Sequence, residues 1–293
     1  MYPFCRVCKA VLNSPMVVLA DMPLTDDFVP IEFSGRKEFL QDIKIFECSV
    51  CGLVQNPTNF DHEGYYRDYR YSSGKSAFTQ NFMRRYAEVI CGEYERLNKR
   101  VPVSVLEVGS GDGEQLKQFK RFSAHRVLGV EPSEFLARLA LDSGIPTQVS
   151  FFGAGTKDSL CESFDICVSS YTLDHVRNPL EYLQAAHALL SDDGLLAFEV
   201  HDLEQIVKRT EYCLFEHEHT IYLSASRAVS ILRSQGFDVV AVNPLPAKEV
   251  RGNSLIVIAQ KKPATWKPCG PAENAPGPCL GGVGRASRRP LHV

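Results

Sequence analysis

Two pairs of cysteines have metal-ligand spacing: Cys5-Arg6-Val7-Cys8 and Cys48-Ser49-Val50-Cys51. Two intervening residues let both thiolates of a pair reach one tetrahedral zinc ion, and two pairs complete a closed structural site. Gly52, directly after the second pair, suits the tight turn such a knuckle needs. A redox Cys-x-x-Cys is the rival reading, but that motif occurs singly, after a strand and opening a helix. Three histidine groups form a second set: Asp174-His175, His201-Asp202 and Glu216-His217-Glu218-His219. A neutral histidine titrates near neutrality, which suits a general base, and Glu218 is placed to orient one. Zinc ligation and a plain polar loop are the other readings of these groups. The third set is Glu107-Val108-Gly109-Ser110-Gly111-Asp112-Gly113. Its glycines let bare backbone approach a ligand, and a helix starting near Glu114 would turn its free N–H groups the same way. A nicotinamide fingerprint reads Gly-x-Gly-x-x-Gly, whereas the spacing here is Gly-x-Gly-x-Gly. An ordinary glycine turn is the bland alternative.

These groups need elements to hold them. The apolar run Val103 to Val108 reads as a buried parallel strand that delivers the glycine loop. Residues 76–98 repeat Phe78, Phe82, Tyr86, Val89 and Ile90 at helical spacing. A helix from Glu114 to Phe122 leads into a strand ending at Glu131, an acid placed to accept from both hydroxyls of a ribose. Ser133 caps the next helix and Gly144 ends it. Strands follow at 147–150, 164–169 and 194–200, with a helix over 179–190. Phe151 and Phe152 stand where they flank an adenine or fill core. Alternating strands and helices predict a parallel sheet covered on both faces. After a helix over 225–234, the apolar runs 237–242 and 254–259 have no helix between them and predict an antiparallel hairpin at the sheet edge. In such sheets ligands bind beyond the carboxyl ends of the strands, which puts Glu107, Gly109, Glu131, Phe151, Ser169 and Val200 on one rim. The stretch Tyr65-Tyr66-Arg67-Asp68-Tyr69-Arg70-Tyr71 is either a packing segment between domains or the wall of a cleft.

Bulk composition narrows the class. The chain has 293 residues, 44% hydrophobic and 23% charged, with a net charge of −3. That length carries one large domain and a small one. The absence of basic excess argues against a partner gripped by its phosphate backbone. Met1 to Arg6 lacks the charged and apolar regions of a signal peptide, and no apolar run approaches the ~20 residues of a membrane span. A cytoplasmic protein is expected, in which paired cysteines bind metal rather than form disulfides.

The glycine loop resembles the S-adenosylmethionine (SAM) loop of class I methyltransferases, and the seven strands read above follow their order. Taken together the motifs resemble the nucleotide-deoxysugar C-methyltransferase family. The residues that carry the likeness are Cys5, Cys8, Cys48 and Cys51, Tyr69-Arg70-Tyr71-Ser72-Ser73, Glu107 to Gly113, His175 with Asn178-Pro179, and His217-Glu218-His219. The resemblance covers residues 4–260 and implies a Rossmann-like α/β fold with a zinc-binding domain at 1–66 and a SAM-dependent methyltransferase domain at 67–262. It implies that Glu107, Gly109, Gly111, Gly113, Glu131, Phe151 and Ser169 hold SAM. It implies that His219 takes a proton from a ring carbon beside a ketone, while Tyr71, His175 and Glu218 hold the nucleotide-sugar and its enolate oxygen. The carbanion would then attack the SAM methyl. Two features depart from that family. Glu216 stands where the family has tyrosine, and a carboxylate cannot donate a phenolic hydrogen bond. In place of the family's further C-terminal domain, residues 263–293 form a Pro/Gly-rich tail expected to be disordered. A zinc-ribbon methyltransferase acting on RNA and a non-catalytic methyltransferase-fold scaffold are the alternative functions.

Overall fold

A computed structural model describes residues 3–262 except 26–30, 34, 36–38, 59, 102 and 161. The tail at 263–293 lies outside the described residues. In chain order the strands and helices are β1 (Val17–Pro23), β2 (Leu40–Glu47), β3 (Val54–Gln55), α1 (His62–Arg67), α2 (Ala77–Asn98), β4 (Val103–Val108), α3 (Glu114–Phe122), β5 (Ala124–Glu131), α4 (Glu134–Asp142), β6 (Thr147–Val149), α5 (Thr156–Leu160), β7 (Phe164–Ser170), α6 (Pro179–Leu189), β8 (Leu190–His201), α7 (Leu203–Arg209), β9 (Ile221–Tyr222), α8 (Ala225–Ser234), β10 (Phe237–Val242) and β11 (Ser254–Lys261).

Seven strands form one sheet in the order β10-β11-β8-β7-β4-β5-β6. The pairs β8-β7, β7-β4, β4-β5 and β5-β6 are parallel, while β11 runs antiparallel to both β8 and β10. The expected hairpin is present, with its second strand inside and its first at the edge. β4 runs through the middle of the sheet and is apolar at four of its six positions; all six residues, Ser104 and the acid Glu107 included, are buried. One face packs against α2 and α3 through Phe82, Tyr86, Ile90, Leu116 and Phe119. The other receives α6 and α8 through Tyr182, Leu183, Ile231 and Leu232. Ser76 caps α2, Ser133 caps α4 and Ser224 caps α8, each side-chain oxygen accepting from a backbone N–H.

A second sheet, in the order β1-β2-β3-β9, is built across the chain. Its first three strands come from the cysteine-bearing segment, and its fourth from Ile221–Tyr222. Val54 pairs with Tyr222 and Gln55 with Ile221. Tyr222 and Ile206 share a core with Ile43, Ile45 and Val54. This small sheet therefore anchors the chain immediately after His219. The pairing crosses the expected boundary at residue 66. Short elements at 17–23, 62–67, 156–160 and 203–209 complete the fold; none is long enough to leave a clear periodic signal. No described helix is long and apolar enough to cross a membrane.

Candidate active site and zinc site

The four sulfurs of Cys5, Cys8, Cys48 and Cys51 lie within 4.8 Å of one another. Cys5 Sγ is 3.6 Å from Cys51 Sγ, and Cys8 Sγ is 3.5 Å from Cys48 Sγ. Thiolates about 2.3 Å from a tetrahedral zinc stand roughly 3.8 Å apart, so the set fits the ion. Both knuckles turn through a left-handed residue, Lys9 at φ 63° and Gly52 at φ 67°, whose N–H groups bond back to Cys5 and Cys48. The Cys51 thiol and, after it, Gln55 Nε2, which donates to Cys5 Sγ at 3.3 Å, pull Cys5 below the ordinary thiol range against its burial.

Beyond the carboxyl ends of the parallel strands lies a cleft of about 870 Å³. Its donor half is the glycine loop after β4. Gly109 and Gly111 line it with positive φ of 69° and 52°. A Cβ on Gly109 would strike the Thr172 hydroxyl, whereas one on Gly111 would meet no protein atom within 4 Å and would project into open space. Gly111 N donates to Glu131 Oε2 at 2.9 Å, and Ser133 N donates to Glu131 Oε1 at 2.9 Å. Burial still raises the Glu131 pKa. Glu107 is buried on the same wall; Gln115 donates to its Oε1 at 2.6 Å, and its Oε2 has no hydrogen-bond partner among the described residues. Burial pushes its pKa up strongly, as expected of a carboxyl awaiting a cation. An orphaned acid, a loop left open at the missing Cβ of Gly111 and an acid pinned at the end of β5 fit the ammonium, close approach and ribose of SAM. Phe151 is 39% exposed on the cleft wall.

Two expected donor residues lie off the wall. Gly113, at φ 77°, begins α3 and packs against Ala140 and Ile145. Ser169 is fully buried and accepts from Tyr182 Oη at 2.8 Å. Strand alternation turns its neighbour Ser170 to the cleft instead.

The acceptor half joins the ends of β7 and β8 to the segment before β9. His175, Glu216, Glu218 and His219 all line the cleft. His219 Nδ1 lies 2.8 Å from Leu214 O, and a carbonyl can only accept, so that nitrogen carries the proton. Its Nε2 therefore presents a lone pair, with Glu216 Oε2 3.5 Å away. Burial holds the His219 pKa down to about 4, which keeps the ring neutral at physiological pH. His175 is lowered to about 3, again chiefly by burial. His201 Nδ1 donates to Asp174 Oδ2 at 2.9 Å. The His219 ring centroid is 4.6 Å from that of His175 and 4.8 Å from that of His201. Asp174, His201 and His219 also offer ligand atoms within 4.8 Å of one another, a spacing that a metal ion can use.

The aromatic stretch is a cleft wall as well as a packing segment. Ser133 Oγ donates to Tyr69 O at 2.7 Å, and Ser72 Oγ donates to Asp112, so the segment lies across the glycine loop. Tyr71 is on the cleft but 67% exposed. Tyr66 instead reaches His175, with Oη 2.6 Å from Nδ1. The sequence motifs contain Tyr66, Asp174 and His201 but assign none of the three a role of its own. The signal available was that His201 ends β8 and Asp174 lies in the loop just past β7, both at the carboxyl rim of the parallel sheet.

A family model described as "Methyltransferase domain" matches residues 82–242, more than half of the chain. The chain belongs to the methyltransferase domain family. A zinc binding domain model matches residues 5–66 of this methyltransferase. The cofactors that accompany these two domains are SAM in the cleft and zinc at the four cysteines. The C-methyltransferase NovU of Streptomyces niveus is 27% identical over 258 residues, covering 87% of this chain and 60% of that protein. A ubiquinone biosynthesis O-methyltransferase of Ruegeria pomeroyi is 32% identical over 114 residues, 36% of this chain and 46% of that protein. The chain thus spans between about half and three-fifths of these curated relatives. The plantazolicin methyltransferase BpumL, solved with SAH, superposes with a TM-score of 0.52 at 16% identity, over 64% of this chain and 87% of that one. The CurJ carbon methyltransferase gives 0.50 at 17% identity, over 64% and 56%. Both share the fold.

Proposed function

We propose that this methyltransferase transfers the methyl group of SAM to a carbon of a nucleotide-linked keto-sugar. The observation that carries the reading is the His219 tautomer. With Nδ1–H held by the Leu214 carbonyl, the Nε2 lone pair is left available in the cleft that the glycine loop also lines. A neutral, buried imidazole so fixed suits abstraction of a proton from carbon beside a ketone. The curated relative NovU is a C-methyltransferase, which favours carbon over oxygen as the acceptor atom.

In this reading Glu107, Gly109, Gly111, Glu131 and Phe151 seat the donor, with Gly113 and Ser169 supporting the loop and strand from behind. SAM supplies an electrophilic methyl on a sulfonium. His219 removes the acceptor proton at Nε2, while His175, Glu218 and Tyr71 position the sugar. The unit at 1–66 holds the acceptor segment through β9, and the unit at 67–262 holds the donor. Excluding water and aligning the two carbons supply the remaining acceleration. The test is mass spectrometry of a panel of nucleotide-linked keto-sugars incubated with SAM. A gain of one methylene is expected, with His219→Asn eliminating it while SAM still binds by calorimetry. Methylation undiminished in His219→Asn removes His219 as the base; methylation of RNA but of no sugar removes the acceptor class.

A further inference from the structure

Asp174 sits at the centre of the acceptor half without touching the cleft. It follows β7, its side chain is 3% exposed, and imidazoles flank it on two sides. His201 donates to its Oδ2 twice, from Nδ1 at 2.9 Å and from the backbone N at 3.3 Å. His175 Nε2 lies 3.7 Å from its Oδ1, which has no hydrogen-bond partner among the described residues. Its backbone carbonyl accepts from Thr220 N at 2.7 Å and Thr220 Oγ1 at 3.1 Å, directly after His219. One residue therefore ties the end of β7 to the end of β8 and to the segment bearing the proposed base.

The charge on Asp174 has a clear use. His219 is buried and neutral, so accepting a proton creates an imidazolium in a poorly solvated place. The groups facing it are the rings of His175, His201 and Tyr222 and the carboxylate of Glu216. Burial disfavours charge on Asp174, yet the charge interaction with His175, the His201 hydrogen bond and the charge interactions with His201 and His219 outweigh it and hold its pKa below the usual carboxylate range. Its field raises the basicity of His219 against the burial that lowers it.

We propose that Asp174 is the positioning residue of the base, fixing the His201 and His175 tautomers and supplying the fixed negative charge against which His219 becomes protonated. The inference rests on the reading of His219 as the base. In that step the acceptor C–H bond breaks, the proton forms an N–H bond at His219 Nε2, and the electron pair stays on the acceptor as an enolate. Asp174 keeps its charge throughout. The chain of partners is then Tyr66 Oη–H to His175 Nδ1, His175 Nε2–H facing Asp174 Oδ1, and Asp174 Oδ2 accepting from His201 Nδ1–H.

The test needs no acceptor. Long-range 1H–15N correlation spectra of the full chain, labelled with 15N-histidine, read each tautomer near neutral pH. The expected wild-type pattern is protonated Nδ1 in His201 and His219 and protonated Nε2 in His175. Asp174→Asn keeps the shape but offers one acceptor and one donor. Its carbonyl stays with the two donors of His201, so its amide turns to His175, which must switch to protonated Nδ1. Calorimetry with SAM should show a Kd within about threefold of wild type, confirming a folded donor half. Tyr66→Phe reads the same chain from its other end, and keeps the test available if Asp174→Asn does not fold. His175 retains protonated Nε2 if Asp174 fixes it and changes if Tyr66 does. Protonated Nε2 in wild-type His201, an unchanged pattern in folded Asp174→Asn, or a switch in Tyr66→Phe would each overturn the role. Failure of sugar methylation with this pattern intact would instead overturn the function proposed above.

Discussion

Removing zinc should disable the acceptor half and spare the donor half. Four hydrogen bonds join the cysteine-bearing part to the segment around His219. Asn56 Nδ2 donates to Glu216 O at 3.1 Å, and Asn56 N donates to Thr220 O at 3.0 Å. His217 Nε2 donates to Gln41 O at 3.0 Å, and His62 Nε2 lies 3.1 Å from Glu218 O. At about 1 kcal/mol net for each bond, these contacts contribute on the order of 4 kcal/mol to holding this segment. A small unit closed by four cysteines loses its folding energy with the metal. By contrast, the Gly111–Glu131 and Glu107–Gln115 contacts lie wholly within β4, β5, α3 and the glycine loop. Cys48→Ser with Cys51→Ser, checked for zinc content, is therefore expected to lower methyl transfer by at least about 10²-fold, the scale of a lost general base. Hydrogen exchange over 216–222 should become fast, and the SAM Kd should change by less than about fivefold, under 1 kcal/mol. Full turnover in zinc-free protein, or retained protection of 216–222, refutes this account of the small sheet.

Acid should destabilise the fold through the buried histidines. His175 and His219 have folded pKa values of about 3 and about 4, below the unfolded value of 6.5. The unfolded state then binds more protons, so the stability they contribute is complete above pH 6.5 and is lost as pH falls towards 4. Between pH 7.5 and 5 His219 alone accounts for roughly 2 kcal/mol, and denaturant midpoints at those two pH values measure it. Equal midpoints would mean that neither ring is buried neutral. Gly111→Ala puts a Cβ into the donor cradle at a left-handed position; the SAM Kd should rise more than about tenfold, with only about 1 kcal/mol lost from stability. Unchanged SAM affinity would place the donor elsewhere. Tyr66→Phe removes the 2.6 Å contact with His175 Nδ1 and should cost about 1–3 kcal/mol by thermal unfolding, without weakening SAM binding.

The donor half was legible in the sequence because it is local. Residues 103–131 run strand, glycine turn, helix and strand, and each boundary carries its own signal: an apolar run, alternate glycines, an amphipathic helix and a terminal acid. The strand at 103–108 and the helices at 114–122 and 225–234 fall where the pattern puts them. Ser169 shows the limit, since a strand end indicates which residues reach the rim but a one-residue change of face decides which side chain sees the cleft. The zinc ligands were legible for a different reason, because paired spacing encodes a shared ion even across a gap of about 39 residues.

The acceptor half is assembled from pieces far apart in sequence, and local patterns carry no information about which of them meet. Tyr66 and His175 are separated by 109 positions, and Asp174 and His201 by 27. Tyr66 lies in a stretch of four tyrosines with no periodic cue to distinguish it from Tyr71. What joins these pieces is β9, a strand of two residues, too short to leave a pattern of its own. Its pairing with β3 carries the zinc-bearing sheet to the residues that follow His219. The metal site and the proposed base, read from the sequence as separate features, therefore belong to one structural unit: the four cysteines close the small sheet, and the sheet sets the path of the chain through His219.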